Sequence, residues 1–112
     1  MATTKKEKFE RDDIRLAKIA KALSHPARIA IIRHLALAES CFFNDIAGVL
    51  PLADSTVSQH ISELKSAGLV QGSPELPRIK YTLNEEEWRQ ARKLLKGFAK
   101  LKHSKDDDNT QD

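Results

Sequence analysis

The sequence predicts a mainly α-helical domain carrying one small β-hairpin. Apolar residues recur at three- and four-residue spacing in five separate stretches, as expected of helices that each bury one face. Two later stretches, 69–71 and 78–83, read as strands, and the turn-rich segment GSPELP joins them. Pro26, Pro51 and Gly68 stand between helical stretches, where starts and stops are needed.

The elements follow in order. Residues 1–8 read as a charged, flexible tail, and 9–102 as the folded domain. The first helix spans about Phe9 to Leu23, with Leu16, Ile19, Ala20 and Leu23 as its apolar stripe between lysines and arginines. Ser24-His25-Pro26 breaks it, and a proline following a serine starts the next helix, about Pro26 to Leu37. That helix directs Ile29, Ile32 and Leu35 inward and Arg28 and Arg33 outward. A short helix from about Phe43 to Leu50 buries Ile46, Ala47 and Leu50, and Pro51 stops it by lacking the N–H that continuation needs. The next helix starts after Asp54 or Ala53, either of which can hold the cap position, and Gly68 ends it. After the hairpin, Asn84 followed by Glu85, Glu86 and Glu87 is a cap with acidic residues at the positive end of the helix dipole. The last helix then runs to about Lys102 with Trp88, Ala91, Leu95, Phe98 and Leu101 on one face. Residues 103–112, HSKDDDNTQD, read as an acidic disordered tail.

Composition bounds the class. A chain of 112 residues is one domain, or one domain with tails. It buries roughly two-thirds of its unfolded surface, so a second subunit would add stability. Hydrophobic residues are 40% and charged residues 31%, ordinary for a globular protein. No apolar run approaches membrane-spanning length, and the polar start, MATTKKEKFERDD, is not a secretory signal, so a cytoplasmic location is expected. The net charge of +3 hides a split. The last ten residues hold one Lys and four Asp, whereas the rest holds 18 basic against 12 acidic side chains. A basic body favours polyanions such as nucleic acid.

The stretch DSTVSQHISELKSAGLV, residues 54–70, is the most informative. Val57, Ile61 and Leu64 share one stripe of a helical wheel; Ser55, Gln59, Ser62 and Ser66 share the opposite one, flanked by Thr56 and Ser58. An ordinary solvent face would carry Glu and Lys, which are better helix formers. Short hydroxyl and amide groups suit close approach to another polar surface, and base edges in a DNA major groove are such a surface. With the short helix before it this is a helix-turn-helix, and the hairpin after it is a wing.

The segments LSHPARIAIIRHL, DSTVSQHISELKSAGLV and PRIKYTLN make residues 14–100 resemble the ArsR/SmtB family of bacterial winged-helix repressors. STVSQHISELKSAGLV is close to the family's STVSxHLxxLxxAGLV signature, and LSHPAR matches its LSxPxR. The resemblance implies a winged helix-turn-helix homodimer that binds operator DNA, with first and last helices at the interface. Leu16, Ile19, Trp88, Ala91, Leu95 and Phe98 are the interface candidates. It also implies release of DNA on a signal, often a metal ion, but the inducer is unknown and no cofactor is expected. Where the family's common sensor has Cys-x-Cys at the start of the third helix, this chain has ESCFFNDI with Cys41 alone. A soft-metal site needs several converging thiolates or imidazoles. The last helix has no histidine until His103, so both family metal sites read as missing.

DNA contacts are expected from Ser55, Thr56, Ser58, Gln59, Ser62, Lys65, Arg78 and Lys80. Gln59 is the main base reader, because an amide can bond bidentately to adenine, and the lysines and arginines form a phosphate clamp. Arg33 belongs with that clamp; Arg28 either joins it or pins the turn between the first two helices. His60, at the edge of the core stripe, suits a structural hydrogen bond better than a base contact. Cys41 reads as a small buried hydrophobe, or as a redox-reactive thiol if a helix N-terminus lowers its pKa. Phe42 and Phe43 read as core, or as the lining of a small cavity. Together these residues point to a DNA-binding transcriptional regulator that recognises double-stranded DNA as a homodimer, with no membrane partner. A winged helix used as a protein–protein module is the alternative, and the uncharged outer face argues against it. No catalytic constellation shows motif spacing, so an enzyme is not expected.

Overall fold

The protein is described by a computed structural model over residues 8–104. Most of the N-terminal tail and of the acidic C-terminal segment therefore lies outside the described residues. In chain order the elements are α1 (Arg11–Ala22), α2 (Pro26–Ala38), β1 (Cys41–Phe42), α3 (Phe43–Ala47), α4 (Asp54–Ser66), β2 (Val70–Glu75), β3 (Arg78–Leu83) and α5 (Glu85–Ala99). The strands form one antiparallel sheet in the order β1-β3-β2.

The core lies where α2, α3, α4 and the sheet converge. Ile31, Leu35, Ile46, Val57, Leu64 and Leu69 are its fully buried large side chains. On α1, Ile19 and Ala22 are buried and Ala20 is exposed, so the stripe is rotated from the expected one. On α2 the buried set is Ala27, Ile31, Ile32 and Leu35, while Ile29 is exposed. Ala27, Ile31 and Leu35 follow strict four-residue spacing, which centres the buried face one residue before the expected one.

Both ends of α4 are defined by backbone geometry. Its cap position is Ala53, with no side-chain cap bond, rather than Asp54. At its far end Gly68 takes φ +85°, a conformation costly for residues with a Cβ. The Gly68 N–H reaches Lys65 O at 2.9 Å, and Leu69 N–H reaches Leu64 O at 3.1 Å. These are the two bonds that close a helix on a left-handed glycine. Leu69 then drops into the core, and its carbonyl accepts from Asn84 N–H at 2.9 Å, closing the base of the hairpin.

The hairpin differs from the sequence expectation. GSPELP is not a loop: β2 continues through Glu75, and only Leu76-Pro77 turns the chain. Pro74 fits because β2 is an edge strand, where a missing N–H costs no ladder bond to a further strand. The two-residue strand β1 was not expected; it is too short to show alternation. Its Phe42 N–H donates to Asp45 Oδ2 at 3.0 Å, which anchors the start of α3. α3 stops at Ala47 rather than Leu50.

Asn84 caps α5 as expected, its Oδ1 accepting from Glu87 N–H at 3.2 Å. Glu87 in turn accepts from Arg15 at 2.6 Å, tying α5 to α1. α5 ends at Ala99, earlier than expected, and carries Gly97 at a position with open space around it. Among the described residues no helix is long and apolar enough to cross a membrane.

Leu64 is completely buried at the centre of this packing. Leu64→Ala is expected to cost about 2–5 kcal/mol of unfolding free energy, measured by urea denaturation. A cost near zero would mean that α4 is not packed as described.

Candidate nucleic-acid interface

Burial sorts α4 as its sequence pattern does. Val57, Ile61 and Leu64 are buried, and Ser55, Ser58, Gln59, Ser62 and Lys65 are exposed, with Thr56 half-buried. The centre of the outward face is thus short hydroxyls and one amide, flanked toward the C-terminal end by Lys65 on one side and Glu63 on the other.

His60 belongs to neither face. It is only 7% exposed, and its Nδ1 accepts from Arg28 Nε at 3.1 Å. The same guanidinium donates through Nη1 to Lys21 O at 3.3 Å and Ala22 O at 3.4 Å, the carbonyls that end α1. The His25 ring lies 4.3 Å from that of His60, and its Nδ1 accepts from Ala27 N–H at 3.0 Å, capping α2. One side-chain cluster therefore fixes the exit of α1, the start of α2 and the middle of α4. Of the two readings of Arg28, these bonds bear out the one in which it pins the turn between α1 and α2. Burial first, and then the positive neighbours His25 and Arg28, push the His60 pKa below its ordinary value, with Glu63 pulling the other way.

The wing lies beside the polar face of α4. A cleft of about 390 Å³ is lined by Ser58 of α4, by Phe42 to Asp45, and by Pro77, Arg78, Ile79 and Tyr81 of the wing. Arg78 and Ser58 thus open on one space. The Arg78 guanidinium lies over the Phe42 ring, 3.9 Å from its centroid. Lys80 Nζ is 2.8 Å from Glu75 Oε2. The sequence assigns neither residue this role: Phe42 reads as core or cavity lining, and Glu75 falls in the expected loop. The signal that finds both is strand register, which places Phe42 opposite Lys80 and Glu75 opposite Arg78. Arg33 is exposed on α2.

The interface candidates divide. Ile19 and Ala91 are buried within the subunit and have no surface left for a partner, because α1 and α5 pack on the same core. Leu16, Trp88 and Leu95 are half-buried; Phe98, at 61% exposed, and Leu101, at 72%, stand in solvent. Ile14 of α1 is exposed as well.

Cys41 is buried, and burial followed by the nearby Asp45 carboxylate pushes its thiol pKa up. Both effects oppose the reactive thiolate that a helix N-terminus would have favoured. Among the described residues no three His, Cys, Asp or Glu side chains converge as a metal site.

Comparison with known proteins gives the same architecture. A family model described as a helix-turn-helix domain matches residues 23–72. The chain is 29% identical over 70 residues to the HTH-type transcriptional regulator YgaV of Escherichia coli, covering 62% of this chain and 71% of that protein. It is 29% identical over 86 residues to the cadmium resistance transcriptional regulatory protein CadC homolog of Staphylococcus aureus, covering 77% and 71%. Among solved structures, an ArsR-like transcriptional regulator from Rhodococcus sp. RHA1 superposes with a TM-score of 0.65 at 23% identity, over 77% of this chain and 80% of that one. These relatives and fold neighbours are transcriptional regulators, not enzymes.

The His60 cluster sets a pH dependence. With its folded pKa lowered, His60 binds a proton more tightly when the chain is unfolded. Its contribution to stability is then complete above about pH 6.5, the ordinary histidine value, and is lost as pH falls through the folded pKa. In urea titrations across this range, the stability difference between wild type and His60→Gln should shrink on acidification. A difference that stays constant would show that His60 does not titrate this way.

Proposed function

We propose that the chain is a winged helix-turn-helix transcriptional regulator of the ArsR/SmtB type, and that it binds operator DNA sequence-specifically as a homodimer and represses transcription; the helix-turn-helix match, the regulator relatives and the shared fold support this reading. The observation that carries this reading is the outer face of α4. Its central stripe is uncharged, short-chained and exposed, and it stands beside a wing that bears Arg78 and Lys80.

In this reading α4 enters the major groove. Gln59 reads base edges, Ser55, Thr56, Ser58 and Ser62 bond to bases or phosphates, and Lys65, Arg78 and Lys80 meet phosphates. A base-reading face gains from short polar side chains because their desolvated groups are all re-satisfied by the base edges, whereas long charged chains lose rotamer entropy. The basic balance of the chain outside its last ten residues supplies the salt-sensitive part of the affinity.

The dimer would form through α1 and α5, since Ile14, Phe98 and Leu101 expose apolar surface on or next to these packed helices. Twofold symmetry then sets two half-sites about one helical turn, or a multiple of it, apart. The repressor sense comes from the family resemblance. The protein would act in the cytoplasm, where its DNA is. The cadmium named for the staphylococcal relative does not transfer to this chain in this reading. Cys41 has no second thiol within its own chain to converge with, and neither the Cys-x-Cys motif nor the last-helix histidines of the family are matched.

Two measurements test the reading. Gln59→Ala should lower affinity for the operator by about 1–3 kcal/mol and leave affinity for random duplex nearly unchanged, as read by competition gel shift. Equal losses on both duplexes would remove Gln59 from base readout. Phe98→Glu should shift the protein from dimer to monomer in sedimentation, with helical content retained, since Phe98 takes little part in the subunit's own core. A variant that stays dimeric would place the interface elsewhere.

A further inference from the structure

The wing's two cations are held by partners of opposite kinds. Side chains directly opposite each other in an antiparallel pair share a face of the sheet, and so do residues two apart along a strand. The register pairs Phe42 with Lys80, Lys80 with Ser73, and Glu75 with Arg78. One face of the sheet therefore carries Phe42, then Arg78 and Lys80, then Ser73 and Glu75. On that face the cations lean along opposite diagonals. Arg78 reaches across to β1 and lies on the Phe42 ring at 3.9 Å. Lys80 reaches across to β2 and meets the Glu75 carboxylate at 2.8 Å.

The two partners differ in what they leave free. An aromatic face attracts a guanidinium without taking any of its N–H groups, so Arg78 keeps its donors for an anion while its position is fixed. A carboxylate takes one of the ammonium's three donors and offsets much of its charge, so Lys80 is drawn to a second anion less strongly while the first holds it. Both Lys80 and Glu75 side chains are partly exposed, at 37% and 46%, so the pair is open to competition from an arriving polyanion. A half-exposed pair of this kind adds little to folding stability, and its charge arrangement is free to serve another end.

We propose that Glu75 acts as a built-in competitor of DNA phosphate for Lys80, so that Arg78 is the wing's constant phosphate contact and Lys80 its conditional one. Lys80 engages only where the duplex brings a phosphate close enough to displace Glu75. The wing then adds less to binding on arbitrary DNA than its two cations would allow, and the gap between operator and non-operator affinity widens. This rests on the DNA-binding reading above and adds a role for a residue outside the groove-facing set.

The test is a double-mutant cycle on the full chain with a mixed-sequence DNA duplex, across a salt series. Glu75→Gln should raise affinity roughly two- to fivefold at low salt, the size of one exposed ion pair released. It should also steepen the dependence of log affinity on log salt by about one phosphate contact. Lys80→Gln should change affinity little in the wild-type background and should cancel the whole gain in the Glu75→Gln background. Arg78→Gln should weaken binding equally in both. Equal losses from Lys80→Gln in the two backgrounds overturn the proposal while leaving DNA binding intact. A wild-type chain that binds no duplex at all removes the DNA-binding reading and the proposal with it.

Discussion

The hydrogen bond from Arg28 to His60 is the constraint on which the setting of α4 depends. A helix that presents a polar face outward is held in place only by its inner side, and α4 has little inner side to offer. Val57, Ile61 and Leu64 bury it against the core, but apolar contacts are non-directional and tolerate rotation of a helix about its own axis. His60 supplies the directional element. Its ring must stay neutral to accept from Arg28, and Arg28 must stay extended to reach the carbonyls that end α1. Lysine could not replace the arginine, because a single ammonium cannot present planar, diverging donors to a ring nitrogen and two carbonyls together. The cluster converts the position of the α1–α2 turn into the rotational setting of α4.

A second constraint fixes the wing. Its base is closed twice, by the Leu69–Asn84 backbone bond and by the burial of Leu69, Val70 and Leu83. Its middle is held by β1, whose two residues are themselves anchored by Asp45. Cys41 faces the same side as Tyr81 and is buried; Phe42 faces the other way and carries the Arg78 guanidinium. A strand of two residues thus does two unlike things at once, as the alternation of the backbone requires. The cation is placed by an element that lies nearly forty residues earlier in the chain, so wing and helix-turn-helix form one body.

Much of this was legible in the residues. The five helices, the polar face of α4, the asparagine cap of α5 and the stop at Gly68 each follow from local rules that tertiary packing did not overrule. The family resemblance rests on LSHPAR and STVSQH, and the structure gives the physical link between them: His25 and Arg28 come from the first, His60 from the second. What could not be read locally was pairing. The strand β1 has no periodicity of its own, and GSPELP looks like a loop because its proline is tolerated only by virtue of β2 being an edge. Face assignments slipped where neighbouring apolar residues competed. Ile29, Ile31 and Ile32 offer three choices on α2, and only the packing of Ala27 and Leu35 on one line decides among them. Ile19 and Ala91 read as interface residues in the sequence and are buried within the subunit, since an apolar stripe does not distinguish an intramolecular helix contact from an intermolecular one.

The glycine at 97 has a mechanical meaning. Nothing lies within contact distance of where its side chain would be, so no neighbour demands its smallness. Relative to alanine it weakens the helix there by about 1 kcal/mol. It comes immediately before Phe98 and close to Leu101, the two most solvent-bared greasy groups of the rod's tip. Stiffness along α5 is therefore uneven: firm where Ala91 is clamped, soft one turn from the end. The tip that carries Phe98 and Leu101 can thus give way while the shaft around Ala91 holds.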